Sequence, residues 1–239
     1  MKKIAVYVLC LFVFTVFIAA DIHIQEKTHT DSYYYGGTVQ PASDSTIEIW
    51  LKDNRLAYIT PGRIVLVEQN TKLISIINRR EKTYVQTSLP LEMKNIVSAE
   101  ILAMLQSRQV AGEVKETGEN KKINSWQCVG FEVQVSQPYA LEIKHWATVD
   151  VPFNWKKLNE MFSDIRKLGN YSDTYIEQLR QIKGFVVCSD VEIFLQGTSF
   201  GSKSQVLEIS RKNPPADVYS IPDGFKKNEQ LTIQNLRNR

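Results

Sequence analysis

The feature that most constrains the fold is the alternation of apolar and polar residues over short segments. In residues 46–52, Ile47, Ile49 and Leu51 fall on one side of an extended chain, and the residues between them fall on the other. A two-residue turn signal, Asp53-Asn54, leads directly into the next such segment. Further short segments follow at steady spacing, which is typical of an antiparallel meander.

Three passages break this pattern with apolar residues at spacings of three and four, which indicates amphipathic helices. The first follows Pro90, the second begins near Trp155, and the third runs from about Ser172 with Gly184 as its expected C-terminal cap. Counting both kinds of segment gives about ten strands and about three helices. The sequence therefore predicts an α+β fold.

The N-terminus has the form of a secretory signal. Lys2 and Lys3 precede a run of 17 uncharged residues, 4–20, that ends in Ala19 and Ala20. We expect cleavage before Asp21, which leaves residues 21–239 as a single exported, periplasmic domain. The alternative is an uncleaved membrane anchor, because a run of this length lies at the lower limit for crossing a bilayer.

Charge and motifs argue against several classes of function. The chain has 29 Lys and Arg against 26 Asp and Glu, so 27 basic residues remain once Lys2 and Lys3 are removed with the leader. A net charge near zero gives no footprint for nucleic acid. The three histidines, His23, His29 and His145, lack the companions that a metal site needs. No catalytic or cofactor-binding motif is present, so we expect neither an enzyme nor a cofactor.

Two cysteines remain outside the leader. Cys128 and Cys188 each occupy the more polar side of a predicted strand, so they could form a disulfide if those strands are neighbours. The alternative is two small buried thiols.

Several short motifs resemble the periplasmic outer-membrane lipoprotein carrier superfamily, the LolA/LolB-like fold, and within it a lipoprotein-sorting-like branch of unknown function. They are Ile-Glu-Ile-Trp at 47–50, Ile-Ile-Asn at 76–78 with Glu-Lys-Thr-Tyr at 81–84, Trp-Ala-Thr-Val-Asp at 146–150, Ile-Lys-Gly-Phe at 182–185 and Tyr-Ser-Ile-Pro-Asp-Gly-Phe at 219–225. The resemblance covers roughly residues 21–227. It implies a strongly curved antiparallel half-barrel with helices over its concave face, which in the carriers receives acyl chains.

The leading functional hypothesis is therefore a non-enzymatic binding module for an apolar or lipid-like ligand, which includes the acyl chains of an envelope lipoprotein. Its cavity would lie between two apolar surfaces, one on the sheet and one on the helices. The candidate residues are Ile47, Ile49, Phe131, Val133, Ile143, Val191 and Ile193 on the sheet, and Trp155, Phe162, Ile176 and Leu179 on the helices. Burial of these side chains against each other explains the same pattern, so the alternative is a structural or interaction protein with a filled core.

Overall fold

The computed structural model describes residues 20–137, 140–195 and 198–237. The predicted leader, residues 1–20, lies outside these ranges except for Ala20. The first strand begins at Asp21, the residue expected to follow the cleavage site. Within the described ranges, no helix combines the length and the apolar character needed to cross a membrane.

The described residues form fourteen strands and four α-helices. The strands are β1 Asp21–Thr30, β2 Tyr33–Tyr35, β3 Thr38–Gln40, β4 Ser43–Lys52, β5 Arg55–Ile59, β6 Arg63–Glu68, β7 Leu73–Asn78, β8 Thr83–Ser88, β9 Ala111–Ile123, β10 Trp126–Gln137, β11 Leu141–Thr148, β12 Phe185–Leu195, β13 Thr198–Lys212 and β14 Lys226–Lys227. The helices are α1 Ala99–Gln106, α2 Trp155–Leu168, α3 Asp173–Leu179 and α4 Ile233–Arg237, with a short 3₁₀ turn at Met93–Asn95.

Twelve of these strands make one open sheet, in the order β14-β8-β7-β6-β5-β4-β1-β13-β12-β11-β10-β9. Every pairing in it is antiparallel except that of β14 with β8. The α+β class and the antiparallel sheet are confirmed, but the expected count of about ten strands is too low. The sequence pattern missed β9 because this edge strand is almost wholly polar and exposed, and therefore shows little alternation.

One face of the sheet carries the main core and is covered by helices; we call it the helix-covered face. Ile22 and Ile24 of β1 lie on this face, and Leu158 and Met161 of α2 belong to the same buried cluster. A second cluster packs α3 against β10, with Tyr175 and Leu179 beside Phe131, Val133 and Val135. Burial of each large apolar side chain contributes about 1.5–3 kcal/mol, so these contacts fix the helices on this face.

The opposite face is covered over its first half by the C-terminal segment. Trp50, Leu66 and Ile77 form a buried cluster there, and Tyr219 and Phe225 pack against it. The hydroxyl of Tyr219 donates a hydrogen bond of 2.9 Å to the buried carboxylate of Asp21. The motif at 219–225 therefore acts as a cover for the sheet.

Two helical expectations need correction. The passage after Pro90 is not one helix: a 3₁₀ turn ends at Asn95, and α1 begins only after Ser98, whose side chain caps it. Gly184 does not cap α3, which ends at Leu179. Gly184 instead has φ +116°, and a Cβ there would lie 2.5 Å from the carbonyl oxygen of Thr148, so only glycine fits where the chain enters β12.

Candidate functional site

A cavity of about 180 Å³ lies between the helix-covered face and α2. Three residues of α2 line it, Asn159, Phe162 and Arg166, which share one side of the helix because they are separated by three and four positions. Asn154 caps the start of α2 by accepting a hydrogen bond from the Lys157 amide. The packing of Leu158 and Met161 in the main core then holds this side of the helix over the sheet.

Part of the cavity surface is apolar. It is formed by Ile49, Tyr58, Phe162, Phe185 and Val187. The rings of Tyr58 and Phe162 meet edge to face, with their centres 5.8 Å apart, so α2 and β5 are joined by a specific aromatic contact. An apolar group that enters the cavity would contact side chains from both the sheet and the helix.

Another part of the cavity surface is polar and includes two ionisable residues. Glu26, Ser189, Ser204, Asn159 and Arg166 contribute to it. Ser189 and Ser204 are directly paired across β12 and β13. The Oγ of Ser189 lies 2.7 Å from Nδ1 of His145, and Ser204 hydrogen-bonds to Glu26. Four neighbouring strands thus bring a row of polar groups beneath α2.

Burial disfavours the charged forms of these groups. It raises the pKa of the Glu26 carboxyl, against the smaller opposite effect of the Ser204 hydrogen bond. It lowers the pKa of His145 to about 4, and the nearby positive charge of Arg166 adds to this. His145 is therefore neutral at pH 7.

Arg166 has an unusual environment. Its Nη1 is fully buried, and no hydrogen-bond partner for this atom exists among the described residues. The guanidinium carbon lies 6.0 Å from the centre of the Phe162 ring, at the limit of a cation–π contact. Burial also lowers the pKa of Arg166, but an arginine remains charged at neutral pH. The cavity therefore holds a cation with an unused donor.

The candidate residues from the sequence divide among several places. Ile49 and Phe162 line the cavity. Phe131, Val133 and Leu179 are buried in the second cluster, Ile143 packs against that cluster, and Ile47 and Trp155 pack against the main core. Ile176 is buried, and Ile193 pairs with Leu141 and Phe200. Val191, Val133 and Ile143 also contribute to a separate groove.

This groove is larger, about 910 Å³, but open and strongly charged. Asp31, Glu132, Glu142, Asp190 and Glu192 contribute carboxylates to it. Lys203 lies 3.1 Å from Asp190, and Lys144 lies 2.7 Å from Glu119. Ion pairs of this kind are typical of a solvated sheet surface, and the groove is a poor site for an apolar ligand.

The two cysteines are buried free thiols. β11 lies between β10, which carries Cys128, and β12, which carries Cys188. The neighbouring strands that a cross-strand disulfide requires are therefore not present, and two strand spacings of about 4.8 Å exceed the usual reach of the bond. Burial raises the pKa of both thiols, which makes them poor nucleophiles.

Among the described residues, no three His, Cys, Asp or Glu side chains come together as a metal site would require. His23 and His29 both lie on β1, where the ring of His23 packs against Trp50 at a tilt of 36° and His29 pairs with Asp44. His145 lies on another strand, beside the cavity.

Glu26 and Arg166 are not among the residues predicted from the sequence, although each breaks a pattern. Glu26 continues the inward series of Ile22 and Ile24, where an apolar residue is expected. Arg166 lies four residues after Phe162, at the edge of the apolar stripe of α2. Two signals in the sequence could have indicated these residues. One is an ionisable residue at an inward position of a strand, and the other is a charge at the edge of the apolar stripe of a helix.

Comparison with known proteins gives one match over most of the chain. Residues 23–225 match a family model described as a domain of unknown function, DUF4412. A search of the curated proteins found no match. The matched range includes the strands and helices that surround the cavity.

Proposed function

The chain belongs to the DUF4412 family, and we propose that it is a non-enzymatic binding module that holds a lipid-like ligand between the sheet and α2. The observation that carries the proposal is the cavity of about 180 Å³, with Ile49, Phe162 and Val187 on its apolar side. A void of similar size is known to accept a benzene-sized group. The cavity is smaller than a typical ligand pocket, so a long chain would extend beyond it or displace α2.

The experiment is a titration of delipidated protein with an environment-sensitive fatty-acid probe, followed by competition with unlabelled lipid. Saturable and displaceable binding at micromolar levels is expected. A probe that shows no saturable uptake by folded protein would support the filled-core alternative, in which the domain is purely structural or serves protein interactions.

A pair of matched variants assigns the binding to this cavity. Val187→Phe adds a ring at a position that is 1 % exposed and lines the cavity. Val39→Phe makes the same change on β3, where the side chain is 70 % exposed. We expect Val187→Phe to weaken probe binding by about tenfold or more, because the new ring occupies the space in which the probe would contact the cavity wall. Val39→Phe should leave the affinity for the probe unchanged. Equal binding by both variants would place the ligand elsewhere.

The absence of catalysis is part of the proposal. Ser189 and His145 resemble a nucleophile and its base, but a histidine with a pKa of about 4 is a weak base at neutral pH. Short-chain p-nitrophenyl esters should be hydrolysed no faster with the protein than in buffer. Turnover that disappears in the Ser189→Ala variant would make the protein an esterase.

Export, the periplasmic location and the relationship to the lipoprotein carriers belong to the same proposal, with an envelope lipoprotein as one source of the acyl ligand. An open antiparallel sheet with helices on one face supports the relationship. A strongly curved half-barrel is the form that the carriers imply. A flat sheet in a crystal structure of the protein would contradict the relationship to the carriers.

A further inference from the structure

The positive charge of Arg166 is not compensated within the described part of the chain. Its buried Nη1 has no hydrogen-bond partner, and none of the ion pairs between described residues includes it. Arg180, which lies close enough to influence Arg166, donates to the carboxylate of Glu177 and to the hydroxyl of Ser163. The two arginines thus differ: one is paired at the surface, and the other points an unused donor into the interior.

A buried donor without a partner is costly, and native proteins rarely retain one. Glu26 lies in the same cavity but hydrogen-bonds to Ser204, and it forms no ion pair with Arg166. The missing partner of Arg166 is therefore best supplied by something that enters the cavity from outside. A guanidinium prefers carboxylate and phosphate oxygens, which it can bind through two parallel hydrogen bonds.

We propose that the cavity takes a single-chain amphiphile with a compact anionic head group, and that Arg166 binds the oxygens of this head group. This inference rests on the proposed function, because it names the class of ligand that the same cavity holds. Asn159 lies on the polar side, and its side-chain amide offers a further donor. The apolar side, with Phe162 and Val187, contacts the first part of the chain. A carboxylate and a phosphate share this chemistry, and the test distinguishes them.

The test compares three ligands that share one chain: decanoate, decyl phosphate and 1-decanol. Each is titrated into the full, delipidated chain and followed by isothermal titration calorimetry. We expect decanoate or decyl phosphate to bind at least about tenfold more tightly than 1-decanol, because only the anions carry the opposite charge and can accept two parallel hydrogen bonds from the guanidinium. The tighter of the two anions identifies the head group.

Three variants assign the preference to Arg166. Arg166→Gln should weaken binding of the preferred anion to within about twofold of 1-decanol, with the affinity for 1-decanol unchanged. Arg166→Lys, which keeps the charge, should still prefer the anion. Lys156→Gln removes the same charge from an exposed position of α2 and should behave as the native protein.

The outcomes separate the two proposals. If 1-decanol and both anions bind the native protein equally, the head-group assignment is overturned while the proposed function stands. If none of the three binds, the proposed function fails as well. The comparison on the native protein decides the question even if Arg166→Gln does not fold.

Discussion

Replacing His145 by glutamine is expected to remove a large part of the pH dependence of the stability of this protein. His145 lies beside the cavity, with its Nδ1 2.7 Å from the hydroxyl of Ser189. Burial, and then the charge of Arg166, lower its pKa from 6.5 to about 4. The unfolded chain therefore takes up a proton at a higher pH than the folded chain, and the native state loses stability as the pH falls from about 6.5 towards 4.

The size of the effect follows from these two values. The folded and unfolded pKa values of His145 differ by about 2.5. At about 1.4 kcal/mol per pKa unit, complete protonation in both states would lower the free energy of unfolding by roughly 3 kcal/mol. Between pH 7 and pH 5 the unfolded histidine becomes almost fully protonated and the folded one hardly at all. The free energy of unfolding should fall by about 2 kcal/mol over this interval because of His145 alone.

The assay is urea unfolding followed by tryptophan fluorescence at pH 7, 6 and 5. The variants His145→Gln and His29→Gln are compared with the native protein; His29 is exposed and serves as the control. His145→Gln leaves the carboxylate ion pairs in place, so the contribution of the carboxylates cancels between this variant and the native protein. If His145→Gln loses as much stability between pH 7 and pH 5 as the native protein, the assignment of a buried neutral histidine is refuted.

Three further predictions use other parts of the molecule. Arg166→Met should leave the ligand-free protein as stable as the native protein in urea unfolding, or up to about 1 kcal/mol more stable, because it removes an unsatisfied buried donor. Arg180→Met should be destabilising, because it breaks the ion pair with Glu177. The reverse order of stability would contradict the assignment of an unpaired Arg166. Tyr219→Phe should cost about 1–2 kcal/mol in the same assay, because it removes a hydrogen bond to the buried carboxylate of Asp21, and an unchanged midpoint would show that the C-terminal segment is loosely held. N-terminal sequencing of the protein from the cell envelope should begin at Asp21, whereas an intact Met1 would indicate an anchor.

The fold was largely predictable because the alternation in the sequence reflects burial of one side of each strand. Ile47, Ile49 and Leu51 were placed on one side, and the structure packs all three in or against the main core. The apolar spacing around Phe162 likewise placed α2 on the sheet. The expected number of strands was too low, because β9 and the short β2 and β3 bury too few side chains to produce an alternating pattern in the sequence.

The cavity itself was less predictable. Phe131 and Phe162 look equivalent in the sequence, as apolar residues at inward positions, but the first is buried against α3 and the second faces the cavity. The difference depends on where α2 crosses the sheet, which no local pattern records. The polar row from Glu26 to His145 joins strands that are far apart in the chain, so only the strand order shows that these side chains meet.

A nuclear magnetic resonance experiment locates the bound ligand directly, using the complex with the tighter-binding of decanoate and decyl phosphate in isotope-labelled form. Intermolecular nuclear Overhauser effects report which protein protons lie near the ligand chain. We expect contacts from the ligand chain to the ring of Phe162 and the methyl groups of Val187, together with a shifted guanidinium resonance of Arg166. Contacts confined to the charged groove near Glu142 and Glu192, or a folded protein that gives no contacts at saturating ligand, would contradict it.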